Sequence, residues 1–125
     1  MSEYDSVRNI HIGGYHGTAF RSAERIAEEG FRDGNGDVFL APLDNLSFAQ
    51  THGARRAREV GDQYYGVVQA MFPGKKLEFG LGGDQIRIPT DEVGRIIVVG
   101  LRVYDLEQSK LMLMKNREEL HSPNL

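Results

Sequence analysis

The sequence predicts an α+β fold in which several short strands pack around two helices. Three observations predict it. Apolar residues alternate at strand period in some segments, as at Ile10 and Ile12. They recur at helical period in two others, Phe20-Ala23-Ile26-Ala27 and Phe48-Ala49-Ala54-Ala57-Val60. Glycine and proline clusters punctuate the stretches between, and no repeat or low-complexity block interrupts them. At 125 residues the chain reads as a single domain, residues 1–125, large enough to bury a core without staples.

Each element follows in order. Residues 8–15 read as a strand broken by the pair Gly13-Gly14. Thr18 is placed to cap a helix in which Phe20, Ala23, Ile26 and Ala27 face inward. Arg21, Glu24, Glu28 and Glu29 then face water. Gly30 ends this helix as a left-handed residue, and Phe31 packs back on it. Residues 33–37, Asp-Gly-Asn-Gly-Asp, form a turn before a short buried strand, Val38-Phe39-Leu40-Ala41. Asp44 or Asn45 caps the second helix, which Gly53 weakens and Gly61 ends. Residues 64–72 read as a strand turned by Pro73-Gly74-Lys75-Lys76. Gly80-Leu81-Gly82-Gly83 leads into Ile86-Arg87-Ile88-Pro89, and residues 96–103 form the most hydrophobic strand. The tail from Leu106 to Leu120 reads as helical through Leu111, Leu113 and Leu120, with fraying beyond.

Composition bounds the function. The chain is 40% hydrophobic and 26% charged, the balance of a soluble globular protein. It has no cysteine, which excludes disulfides and thiolate metal sites and fits a reducing, cytoplasmic compartment. Met1-Ser2-Glu3-Tyr4-Asp5 lacks a basic and an apolar leader region, so no signal peptide is expected. No apolar run approaches membrane-spanning length, so no membrane partner is expected. The net charge of -3 disfavours coating of nucleic acid by bulk electrostatics. Arg55-Arg56-Ala57-Arg58 is the local exception. It reads as a solvated helix face or, alternatively, as a patch that touches phosphates. His11 and His16 lie five apart on a strand-like segment with no third ligand at recognised spacing, so no metal is expected. No Walker or Rossmann phosphate loop is present.

Three motifs stand in a fixed order. Tyr15-His16-Gly17-Thr18 lies at a strand end. Phe39-Leu40-Ala41 precedes a helix carrying Ser47, Phe48 and Ala49. Asp84-Gln85 heads the apolar strand Ile86-Arg87-Ile88-Pro89. Together, over about residues 10–103, they resemble the ADP-ribosyltransferase fold family shared by diphtheria toxin and the poly-ADP-ribose polymerases. The resemblance implies a split β-sheet core with two short helices, and NAD as substrate. In that family a histidine followed by glycine and a hydroxyl residue bonds a ribose hydroxyl, and the glycine backbone clamps the nicotinamide amide. The resemblance therefore assigns His16, Gly17 and Thr18 to NAD. A Cβ at Gly17 would block close backbone approach. It also places Phe39 where an aromatic ring stacks on nicotinamide, with Ser47 on the following helix. Tyr15, Tyr64 or Tyr65 offers a second wall. Read without the resemblance, His16 is a core hydrogen-bonding histidine and Phe39 a core residue.

The chemistry of this family breaks the C–N bond between nicotinamide and ribose and leaves positive charge on the ribose. Nicotinamide departs neutral, so positioning and electrostatics carry the rate. The toxin-like branch places a glutamate just before a Val-Leu-Ile-Pro-like strand, and Gln85 stands at that position here. Its amide can bond a 2′-hydroxyl but carries no charge, a loss on the order of several kcal/mol in a partly desolvated site. The expected catalytic residues are Gln85, Asp84 and His16. Glu92 reads as surface charge. The resemblance implies a mono-ADP-ribosyltransferase that uses NAD to modify a macromolecular target, expected to be a protein. A compact cysteine-free chain suits a toxin-like bacterial, phage-encoded or anti-defence effector. One alternative, to which Gln85 points, is a degenerate module that binds NAD, ADP-ribose or a partner without turnover. The other is a small-molecule, antibiotic-type ADP-ribosyltransferase.

Overall fold

Strand β1 (His11–Ala19) runs unbroken through both the Gly13-Gly14 pair and Thr18, in a computed structural model that describes residues 11–32, 36–73, 78–79 and 85–121. Helix α1 (Phe20–Glu29) follows at once, then β2 (Val38–Pro42), helix α2 (Leu46–Val60) and β3 (Tyr64–Pro73). The short strands β4 (Glu78–Phe79) and β5 (Ile86–Ile88) precede a 3-10 turn at Val93–Arg95 and strand β6 (Ile97–Asp105). Strand β7 (Leu111–Asn116) and helix α3 (Arg117–His121) end the described chain. The architecture is α+β. Among the described residues the strands form one antiparallel sheet in the order β4-β5-β2-β1-β3-β6-β7.

Period-two alternation sorts the strand side chains to two helix-covered faces. Tyr15, Ala19, Tyr65, Val67 and Tyr104 pack under α2 with Ala49 and Ala57. Val68, Leu101 and Val103 pack under α1 with Ala23 and Ala27. A third cluster, including Leu40, Phe72, Ile86, Ile88 and Val93, fills the β2–β5 side. No helix among the described residues is long and apolar enough to cross a membrane.

Helix α2 lies in backbone contact with β1. A Cβ built on Gly17 would overlap the Ala49 carbonyl oxygen, and one on Gly53 would stand 2.8 Å from the Tyr65 ring. Gly53, read from its propensity as a weak point, is buried inside a continuous helix. The tertiary gain of close approach outweighs the local cost.

Three local expectations change. Thr18 does not cap α1: it is a buried residue within β1, and Ala19 holds the N-cap position without a side-chain bond. The cap arrives from the loop after α2. The Asp62 carboxylate accepts the Arg21 backbone N–H at 3.2 Å and the Arg21 guanidinium at 2.6 and 2.9 Å. This carboxyl is held below the usual range by its bonds to Arg21. Gly30 does take a positive φ of 80°, but with an extended ψ of 177°, and its N–H bonds Ile26.

The tail is the third change. Residues 111–116 form an edge strand on β6 rather than a helix, with only α3 helical beyond them. The Asp105 carboxylate builds the reversal by accepting the Glu107 and Gln108 N–H groups at 3.3 and 2.9 Å. Ser109 adopts φ 56°, and β7 then pairs back on β6. Leu111, Met112, Leu113 and Met114 are all exposed, so their hydrophobicity carried no helical face.

Gly17→Ala should therefore cost about 3 kcal/mol or more, because the added methyl meets backbone that cannot rotate away. Gly53→Ala should cost less, since helix propensity returns about 1 kcal/mol. Urea denaturation measures both. A Gly17→Ala chain as stable as wild type would show that α2 lifts freely from β1.

Candidate functional site

The sheet parts between β1 and β2. The two strands pair only at Gly14–Pro42 and Tyr15–Ala41, although β1 pairs with β3 along its whole length. Over residues 16–19 the β2-facing edge of β1 has no strand partner among the described residues. Backbone polar groups at such an edge need other partners. Across the gap, His16 Nδ1 donates to the Phe39 carbonyl at 3.2 Å. The His16 ring also meets the Phe31 ring edge-on, with centroids 5.4 Å apart.

A cleft of about 200 Å³ opens beside this bridge. Tyr15, His16 and Gly17 of β1 form one wall, Phe39 and Ala41 of β2 another, and Phe48, Ala49 and His52 of α2 the roof. Gln85, at the foot of β5, closes it together with Asp37. Phe39 is 46% exposed, so it is an aromatic surface of the cleft and not a core residue. Tyr15 is buried, with the Arg102 guanidinium 5.2 Å from its ring centroid on the sheet side.

The cleft continues into a polar depression of about 400 Å³ shared by His16, Gly17 and Thr18 with His52, Arg55, Arg56 and Glu59. Of the basic run on α2, Arg55 and Arg56 face this depression, and Arg58 lies on the other flank. On the α1 side of the gap a second hollow, about 330 Å³, meets His16 and Asp37 together with Arg25, Phe31 and Arg32.

The structure thus brings Tyr15-His16-Gly17 together with Phe39 and Gln85, three places far apart in the chain. Thr18 borders the polar depression rather than the cleft itself. Ser47 does not join them. It bonds Asn45 at 3.2 Å and lines a separate depression with Gln50, Thr51 and Ser109. The physical reason is helical rotation: Phe48, Ala49 and His52 occupy the cleft face, which turns Ser47 and Thr51 to the other flank. Tyr64 and Tyr65 do not line the cleft: Tyr64 meets Phe20, and Tyr65 stacks on Tyr104 beneath α2. Asp84 lies outside the described residues. Glu92 pairs with Arg95 at 2.8 Å on the surface. The missing Cβ of Gly17 is explained by the seat of α2, while its backbone edge faces the cleft.

Two polar cleft residues, Asp37 and His52, had no assigned role in the sequence, and Phe48, placed there on the apolar face of the second helix, also lines the cleft. The i, i+4 spacing of Phe48 and His52, alongside Ala49 and Gly53, was the available signal. Asp37 is held in place. Arg87 Nε donates to it at 2.8 Å and the Thr90 N–H at 2.9 Å.

Electrostatically the cleft carries one paired carboxylate among its described residues, Asp37 with Arg87, and the adjoining depression carries Arg55 beside the Arg56–Glu59 pair at 2.9 Å. Burial pushes the His16 pKa below its ordinary value of 6.5, the bond to Phe39 partly opposes this, and His52 adds to it. Burial and then Arg55 lower His52 as well. Both imidazoles are therefore neutral at pH 7. No family profile, curated protein or solved structure matches this chain.

The sign of the pH dependence follows. With folded pKa values depressed, the unfolded chain takes up these protons first as pH falls through 6.5. Stability should decline from about pH 7.5 to about pH 5.5, and His16→Gln should flatten that decline. Calorimetric Tm at the two pH values reads both; an unchanged wild-type Tm would return His16 to an ordinary pKa.

Proposed function

We propose that this chain is a mono-ADP-ribosyltransferase with an ADP-ribosyltransferase-like split sheet, and that NAD occupies the gap between β1 and β2. The observation that carries the reading is the parted sheet, bridged by His16 and walled by exposed aromatic rings, with Gln85 at the foot of β5. The residues present fit the ligand. Phe39 and Phe48 offer ring faces to a flat heteroaromatic amide, and the unpaired edge of β1 offers backbone groups to its carboxamide. His16 keeps Nε2 for a ribose hydroxyl, and Arg55 and Arg56 line the depression where a pyrophosphate would continue. When bound, NAD supplies the ADP-ribosyl group and releases nicotinamide. The chain's residues orient it, stack it and hold its hydroxyls. A protein acceptor at this rim, in the setting of a toxin-like, phage or anti-defence effector, completes the reading.

A second reading is favoured by one observation. Gln85 is neutral, and Asp37, the one carboxylate lining the cleft among the described residues, is engaged by Arg87 and Thr90. On that ground the cleft binds NAD or ADP-ribose without turnover.

Titration calorimetry with NAD, paired with measurement of nicotinamide release, separates the two. Binding with release supports transfer; binding alone supports the second reading; neither sinks both. Phe39→Ala should weaken NAD binding about fivefold or more with little loss of stability, because the ring is already half exposed. Unaltered affinity in this variant would move the stacking surface to Phe48. Gln85→Glu should raise NAD cleavage, since a carboxylate there gains attraction mainly in the transition state. A rate no higher than wild type would remove Gln85 from the reacting centre.

A further inference from the structure

The cleft holds two neutral imidazoles whose hydrogen-bond partners are chemical opposites. His16 Nδ1 faces the Phe39 carbonyl oxygen at 3.2 Å, and a carbonyl only accepts. His16 therefore carries its proton on Nδ1 and leaves Nε2 as an acceptor. His52 Nδ1 faces Arg55 Nη2 at 2.8 Å, and a guanidinium only donates. His52 therefore carries its proton on Nε2, which becomes a donor. Both rings border the cleft and the depression that continues from it. Phe48 holds the His52 ring from one side, with centroids 4.8 Å apart.

We propose that His16 and His52 form an acceptor–donor pair that reads adjacent ribose hydroxyls, and that Arg55 is the positioning residue that sets the His52 tautomer. The proposal rests on the NAD reading of the cleft. A ribose cis-diol is the group on that ligand that offers a hydroxyl proton and a lone pair on neighbouring atoms. One hydroxyl gives its proton to His16 Nε2, and its neighbour accepts from His52 Nε2–H. A deoxyribose lacks one of these partners and leaves one imidazole nitrogen unmatched, so the pair selects ribo- over deoxyribonucleotides. Phosphate contacts alone would make no such distinction. His52 suits this role because its neutrality, maintained by burial and by Arg55, keeps Nδ1 free to accept.

Two measurements on the full chain test the pair. Nitrogen-15 NMR of the imidazoles at about pH 7.5 should show the Nδ1–H tautomer for His16 and the Nε2–H tautomer for His52. Arg55→Glu should invert His52 alone, because a carboxylate accepts from Nδ1–H, and Arg55→Lys should keep the wild-type tautomer. Calorimetric titration then compares NAD with its analogue lacking the 2′-hydroxyl on the nicotinamide ribose. Wild type should prefer NAD by about tenfold or more, and His52→Phe, which keeps the ring packing, should lose most of that preference. His52→Gln, which restores an N–H donor, should recover it in part. An Nδ1–H tautomer for wild-type His52, or a His52→Phe chain that discriminates as wild type does, overturns the proposal and leaves the NAD reading standing. A wild-type chain that binds no NAD overturns both.

Discussion

The contact between Gly17 of β1 and the Ala49 carbonyl of α2 is the constraint on which the rest of the molecule depends. Backbone against backbone is as near as a helix and a strand can approach, and it is available only where a Cβ is absent. Gly53 repeats the condition one turn further along α2, against Tyr65 and Gly66 of β3. With α2 pinned at two points, its rotation is set. Ala49 and Ala57 turn to the sheet, Phe48 and His52 turn to the gap, and Ser47 and Arg58 turn to the opposite flank.

The same seating explains why a gap can persist in the sheet. Strands normally pair to satisfy their backbone groups, and an unpaired edge inside a fold is costly. Here β2 leaves β1 after Tyr15 and pairs with β5 on its other side, where Leu40 and Ile86 are buried together. The His16 imidazole fills part of the space that β2 vacates, satisfying the Phe39 carbonyl and packing on Phe31. His16 thus spans the gap through Nδ1 and lines both the cleft and the hollow on the α1 side. The remaining β2-facing edge of β1 has no strand partner among the described residues.

Charge is distributed to match. The carboxylate nearest the cleft, Asp37, is tied to Arg87 and Thr90 and so orders the approach to β2. Asp62 caps α1 and binds Arg21 at a distance from the site. At the rim of the adjoining depression Arg56 pairs with Glu59 at 2.9 Å and Arg55 bonds the His52 ring at 2.8 Å. Apart from the paired Asp37, the cleft holds neutral donors and acceptors, suited to orienting a ligand by shape and hydrogen bonds more than by charge.

Local chemistry in the sequence was sufficient for much of this. The helical spacing of Phe20, Ala23, Ile26 and Ala27 and the period-two strands were legible because each depends on neighbours within a few residues, whereas the His16, Phe39 and Gln85 motifs were picked out by their resemblance to a known family. Long-range contacts decided the rest. Thr18 could not be recognised as a strand residue, because Asp62, distant in the chain, supplies the cap it seemed placed to provide. Gly53 looked weak until Tyr65 and Gly66 explained its missing side chain. The tail looked helical because Leu111, Leu113 and Leu120 can be spaced on a helix, yet β6 offered hydrogen bonds along its edge and Asp105 turned the chain toward them. Ser47 and His52 were separated by the rotation of one helix, which no spacing within α2 can set on its own. The sequence by itself determined which segments could be strands and helices and which side chains could carry chemistry. Only the tertiary structure decided which of those side chains share a cleft, because that depends on where two backbones touch.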